Sequence, residues 1–322
     1  MSIVLFLLGL ASDPTYASPA LQPTPLPNES YAEAYTAVGS LEDGSFVLLQ
    51  LMFTNAGVGS RKAACRALWV PPSKPGLNAS SHMSSNEWSY DEAKESLTAG
   101  KCVLETVDGG VRFHADVPDL SIDMTIEGGI RRIAPRGHRI DHNGSFYESE
   151  LLIPYAKSKV AIESNGARTT TAGPVHLDHS RSNLLMPNTA ACWIRFRGFF
   201  GSVPTLFQAR IPPGGGPPKT WVWPLSNAQP STVSGEAVTL EQTDSGMPRV
   251  VIGGGHPVTI SSTKTLFVYR PAESYGALGR LASPWIGNPT TTTYRAKGTS
   301  GSGNVSGILE VLNVDEPGCA PQ

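Results

Sequence analysis

The sequence predicts an all-β protein built from two antiparallel β-barrels in tandem. Residues 120–127, Leu-Ser-Ile-Asp-Met-Thr-Ile-Glu, alternate strictly between apolar and polar, the period of a strand with one face on a core and the other in water. Comparable runs recur every ten or so residues, without the helical crossovers that a parallel sheet needs. Composition agrees, since 33 glycines, 27 prolines and only 16% charged residues among 322 suit short strands joined by tight turns.

Residues 1–28 read as a signal peptide followed by a Pro-rich linker. Ile3-Val4-Leu5-Phe6-Leu7-Leu8 matches an h-region too short to span a membrane, and small residues offer cleavage after Ala11 or near Ala17. The expected location is secreted or periplasmic. No positive n-region precedes the apolar run, which leaves a soluble cytoplasmic protein as the alternative.

The first barrel is expected over 29–170, with strands at 46–53, 65–70, 101–106, 111–115, 120–127, 146–153 and 157–164. Asp108-Gly109 supplies the positive φ angles of a hairpin turn. A short helix is expected at 90–98, and the polar, Gly-containing stretch 165–171 is read as the domain boundary. The second barrel is expected over 171–317, with strands at 192–199, 206–211, 221–225, 237–241, 249–252, 264–269, 292–297 and 303–312 and a short helix at 273–281. Two sheets of about eight strands each would close into barrels that hide their edges and leave room for side chains or one small ligand.

A formal net charge of −2 gives no electrostatic footprint for nucleic acid. The four cysteines, Cys65, Cys102, Cys192 and Cys319, lack zinc spacing; in an exported protein Cys65–Cys102 is the first choice of disulfide, with the other pairings open. There is no G-x-S-x-G elbow, phosphate-cradling loop or dinucleotide fingerprint, so no cofactor is expected.

Chemistry concentrates in Gly173-Pro174-Val175-His176-Leu177-Asp178-His179-Ser180, read as opening the second barrel. His176, Asp178 and His179 are all competent metal ligands. In a strand, however, His176 and Asp178 share a face while His179 points to the other, so no metal site is expected. The dense basic stretch from Arg131 to Arg139 reads as a solvated loop or, with Arg131, Arg132 and Arg136, as peripheral contact with an anionic membrane surface.

The order of several motifs resembles the double-barrel lipocalin-like superfamily, which includes carotenoid hydratases, fungal survival-factor proteins and AttH-type proteins. The residues that carry the likeness are Gln50 to Gly59, Phe146-Tyr147-Glu148, Gly173 to His179, Trp193 to Gly198 and the stretch 303–312. The aromatic that often follows the family's Asp-His pair is replaced by Ser180-Arg181. The resemblance implies two lipocalin-like barrels, an apolar pocket near their interface and, as partner, a hydrophobic small molecule such as a lipid or isoprenoid.

It implies further that Asp178 acts as an acid toward an alkene with His179 as its partner, and that Trp193 faces the developing cation. The competing reading makes the Asp-His pair a junction that hydrogen-bonds loop backbone. Trp221 and Trp223, two apart on one strand, share a face and with His176 and Trp193 form the expected ligand lining. Binding of an apolar molecule is the leading expectation, and acid-assisted hydration, isomerisation or cyclisation of a polyene is the alternative.

Overall fold

A computed structural model gives the structure of residues 19–55, 60–134, 138–216, 218–225, 238–253, 257–270, 289–314 and 319. Residues 1–18 of the expected signal peptide and linker, the expected helix 273–281 and Arg136 lie outside the described residues.

Two curled antiparallel sheets, a near-barrel and a half-barrel, make up the molecule. The first is built from β1 (Ala32–Ser40), β2 (Phe46–Thr54), β3 (Lys62–Val70), β4 (Leu77–Met83), β5 (Trp88–Asp91), β6 (Ser96–Ala99), β7 (Cys102–Val107), β8 (Gly110–Val117), β9 (Leu120–Glu127), β10 (Arg139–His142), β11 (Ser145–Ser164) and β12 (Ala167–Ser182). Its order is β4-β3-β2-β1-β12-β11-β9-β8-β7-β6-β5, with β10 paired to β11. The second contains β13 (Cys192–Phe200), β14 (Val203–Ile211), β15 (Lys219–Pro224), β16 (Val238–Gln242), β17 (Pro248–Ile252), β18 (Val258–Tyr269), β19 (Thr290–Ser300) and β20 (Gly303–Asn313), in the order β15-β14-β13-β20-β19-β18-β17-β16.

Alternation decides which residues fill the first sheet. The odd-numbered residues of β1, including Tyr35 and Ala37, join Phe53, Phe113 and Ile122 in one fully buried core. The sheet curls far enough to bring β3 against β8, and the disulfide Cys65–Cys102, with Cα atoms 6.4 Å apart, ties β3 to the start of β7. Ahead of β1, Leu21 is also buried in this core, so residues 19–26 lie against one end of it. In the second sheet Phe196, Phe207, Ile260 and Leu309 form a separate core, and a disulfide joins Cys192 of β13 to Cys319.

Several sequence expectations change. Residues 90–98 form β5, a turn and β6 rather than a helix. Asp91-Glu92-Ala93-Lys94 has helical composition, but so short a run does not repay helix nucleation when its flanks can pair; Glu95 closes the turn at φ 44°.

The expected boundary at 165–171 is the tip of the β11–β12 hairpin. Asn165 and Gly166, at φ 50° and 74°, make a two-residue turn between paired Ser164 and Ala167. The His-rich cluster consequently lies in β12, central in the first sheet between β1 and β11, and the chain crosses to the second sheet only between Ser182 and Cys192.

The runs 146–153 and 157–164 are one strand broken by bulges between Leu151 and Ala156. Pro154 sits in the break, where a residue without an N–H can be accommodated.

Candidate functional site

β12 presents opposite chemistry on its two faces. Asp178 and His176 stand opposite Thr36 and Val38 of β1 and face the second sheet, whereas His179 stands opposite Tyr35 on the side of the first core. The expected partnership between Asp178 and His179 therefore does not form. Adjacent residues of a strand cannot cooperate across it.

On the face toward the second sheet, apolar contact flanks a charged seam. Val38, Leu48 and Leu68 pack against Leu266 and Ile308 on one side, and Leu151 packs against Leu206 and Trp223 on the other. In the seam the buried Arg197 of β13 donates to Asp178 and to Glu310 of β20. Arg195 Nη1 lies 3.6 Å from the same Asp178 Oδ2. Burial works against the Arg197 charge, but Asp178 and Glu310 outweigh it and hold the guanidinium above its ordinary pKa.

Asp178 is thus a counter-ion in a buried ion pair. Its Oδ1 has no hydrogen-bond partner among the described residues. His176 hydrogen-bonds the Pro154 carbonyl at the bulge. Burial and then Arg197 push its pKa down to about 4, so at neutral pH it is an uncharged imidazole with Nδ1 unpartnered.

Two cavities lie along this seam and share Arg197 as a wall. One, of about 230 Å³, runs between β2, β3 and β12 of the first sheet and β13, β14 and β18 of the second, and mixes Leu48, Leu68 and Leu206 with Gln50, Gln208 and Arg66. The other, of about 220 Å³, is bounded by Val38, His176, Phe199 and Ile308.

On the opposite face of β12, His179 Nε2 is 2.8 Å from Glu33 Oε1 and Nδ1 is 3.0 Å from Glu150 Oε1. A neutral imidazole has one N–H, so donation to two carboxylates requires the imidazolium. Burial opposes that charge, yet the bonds to Glu150 and Glu33 outweigh it and raise the His179 pKa.

Each carboxylate has further donors. Tyr31 Oη donates to Glu33 at 2.6 Å and the Thr24 amide at 2.9 Å, while Arg132 grips Glu150 through Nε and Nη2 at 3.2 and 3.0 Å. Burial tends to raise the Glu150 pKa, but His179 and Arg132 bring it below the ordinary value. Tyr35 stacks on the His179 ring with centroids 4.5 Å apart. A third cavity, of about 540 Å³, opens beside His179, Arg132 and Arg181 under residues 19–24, and Ser149 and Glu150 wall both it and the 230 Å³ cavity.

His176 borders the smaller seam cavity, but Trp193, Trp221 and Trp223 are not in the walls of these three cavities. Trp193 packs edge-on to Tyr147 with ring centroids 5.0 Å apart. Trp221 and Trp223 do share a face and stack 6.3 Å apart, with Trp223 buried against Leu151 and Leu206 beside the larger seam cavity. In the basic stretch, Arg132 is bound to Glu150 and Arg139 to Asp141 and Glu148, while Arg131 is exposed.

Sequence reasoning missed Glu33, Glu150, Glu310 and Arg66. One signal was present: Tyr31-x-Glu33-x-Tyr35 alternates, which puts a carboxylate on the same inward face as two aromatics, and such a group needs a partner.

No family model matches the chain, and no curated protein matches it. Solved structures do. An AttH-like protein from Nitrosomonas europaea superposes with a TM-score of 0.62 at 11% identity, over 88% of this chain and 92% of that one. CghA with Sch210972 gives 0.57 at 11% identity, over 88% of both chains. Kievitone hydratase from Nectria haematococca gives 0.55 at 12% identity, again over 88% of both. Two curled antiparallel sheets in the same arrangement across nearly the full length place this chain in the double-barrel lipocalin-like fold.

Proposed function

We propose that the protein binds an apolar small molecule between its two sheets. The observation that carries this reading is the 230 Å³ cavity, where Leu48, Leu68, Leu151 and Leu206 from both sheets form an apolar patch among more numerous polar groups that would orient an occupant. Support also comes from CghA, whose structure contains Sch210972 on the same fold. Extraction of the purified protein followed by mass spectrometry, with a titrated panel of lipids and polyenes, tests it. A bound or binding apolar molecule is expected, and none at all would overturn the reading.

A second reading, acid-assisted hydration of an apolar molecule held in the 540 Å³ cavity beside His179 instead of between the sheets, is favoured by kievitone hydratase among the structural neighbours and by the caged imidazolium. Here the proton donor is His179 rather than Asp178. Its N–H would protonate an alkene carbon as the π bond breaks, water would add to the resulting cation, and the water's proton would return to the imidazole. In ¹⁸O-labelled water an accepted polyene should gain one labelled hydroxyl, and a folded His179→Gln variant should give none. Label incorporation by that variant would remove His179 from the chemistry.

We also propose that the protein is exported. The two disulfides support an oxidising compartment. Contact of the exposed Arg131 with an anionic membrane surface is a lesser proposal, tested by vesicle binding of Arg131→Glu.

A further inference from the structure

Arg66 is a buried cation with no ion-pair partner among the described residues. It lies on β3 opposite Gln50, is 9% exposed and lines the 230 Å³ cavity. Nε donates to the neutral Asn78 amide oxygen at 2.8 Å, and the guanidinium carbon lies 3.8 Å from the Tyr269 ring centroid and 5.1 Å from that of Phe267. Nη2 has no partner, and no carboxylate comes within ion-pairing distance of Arg66 among the described residues.

The other charges around the cavity are matched. Arg197 and Arg195 stand against Asp178 and Glu310, while Arg132 and His179 stand against Glu150 and Glu33. One positive charge is left over. A guanidinium taken out of water without a counter-ion is costly, whereas an anion that arrives with a ligand would repay that cost locally. Arg195, whose Nε is also unpartnered, lines the same cavity.

We propose that the occupant of this cavity is an apolar molecule bearing one carboxylate, received by Arg66 and assisted by Arg195. The planar guanidinium fork matches a carboxylate, and a single negative charge balances the single surplus cation. Tyr269 and Phe267 hold the fork by covering it, which leaves its free edge as the recognition element. This inference rests on the cavity being the binding site, as proposed above.

Octanoic acid, octanol and octylamine, titrated calorimetrically at neutral pH, share one apolar chain and differ in head-group charge. Octanoate should bind at least about ten-fold tighter than octanol, with octylamine weakest. Arg66→Gln should erase the octanoate preference, so that acid and alcohol bind alike. The ligand-free Arg66→Met variant should melt at a higher temperature than wild type, because it removes an uncompensated buried charge. Equal affinity for acid and alcohol would overturn the carboxylate assignment while the apolar cavity stands. Failure of both to bind would overturn the cavity reading and this inference together. A preference that survives in Arg66→Gln would likewise overturn it, and if that variant does not fold, the wild-type ranking decides.

Discussion

The two faces of β12 differ in how completely their charges are satisfied. Around His179, both ring nitrogens, both flanking carboxylates and Arg132 find partners in one continuous network. On the reverse, a seam equally rich in charge leaves Asp178 Oδ1, His176 Nδ1, Arg195 Nε and Arg66 Nη2 without partners among the described residues, beside two cavities. A satisfied buried network specifies one arrangement, whereas a partly satisfied one is where a ligand gains most by supplying the missing partners.

The strongest way to break this comparison is to delete His179. His179→Leu strands Glu33 and Glu150 beside each other and should cost about 3–5 kcal/mol in urea unfolding, the usual penalty for leaving a buried charge uncompensated. A cost below about 1 kcal/mol would mean that the network does not support the first sheet.

The pH dependence should separate the faces by sign. His176, with its pKa lowered to about 4 from 6.5, contributes stability that is full above about pH 6.5 and is lost as the pH falls toward 4, on the order of 3 kcal/mol in all. His179, with a raised pKa, contributes stability that is full below about pH 6.5 and is lost as the pH rises through its folded-state value. Urea midpoints against pH should therefore fall on both sides of neutrality. His176→Gln should flatten the acid limb down to about pH 4.5, below which the lowered Glu150 takes over, and should leave the alkaline limb alone. An unchanged acid limb would contradict the assignment.

Asp178→Asn is expected to cost less than His179→Leu, about 1–3 kcal/mol, because Arg197 keeps Glu310. Losses as large as those of His179→Leu would make the two faces equivalent. Arg131→Glu, at an exposed position on neither network, should stay within about 0.5 kcal/mol of wild type.

Much of the scaffold was legible because alternation and turn chemistry are local. The hairpin at Asp108-Gly109, the strand at 120–127 and the Cys65–Cys102 pairing all appear, although only Gly109 of the turn takes the expected positive φ. So does the separation of His176 and Asp178 from His179, which follows from the period of a strand.

Misreadings arose where one local pattern fits two structures. Asn165-Gly166 serves a linker or a hairpin tip, and pairing by β12 with β1, far back in the chain, chose the hairpin. The site was less legible for the same reason. Glu33 and His179 are 146 residues apart, and Arg197 and Glu310 are 113 apart, so nothing local reveals either pair.

The central claim is that an apolar molecule occupies the seam between the sheets. The most direct measurement is a crystal structure with 8-bromooctanol, read by the anomalous signal of bromine. The account predicts a peak between Leu68 of β3 and Leu206 of β14, in the cavity that both line. A peak within the first core, or none at saturating ligand, would contradict it.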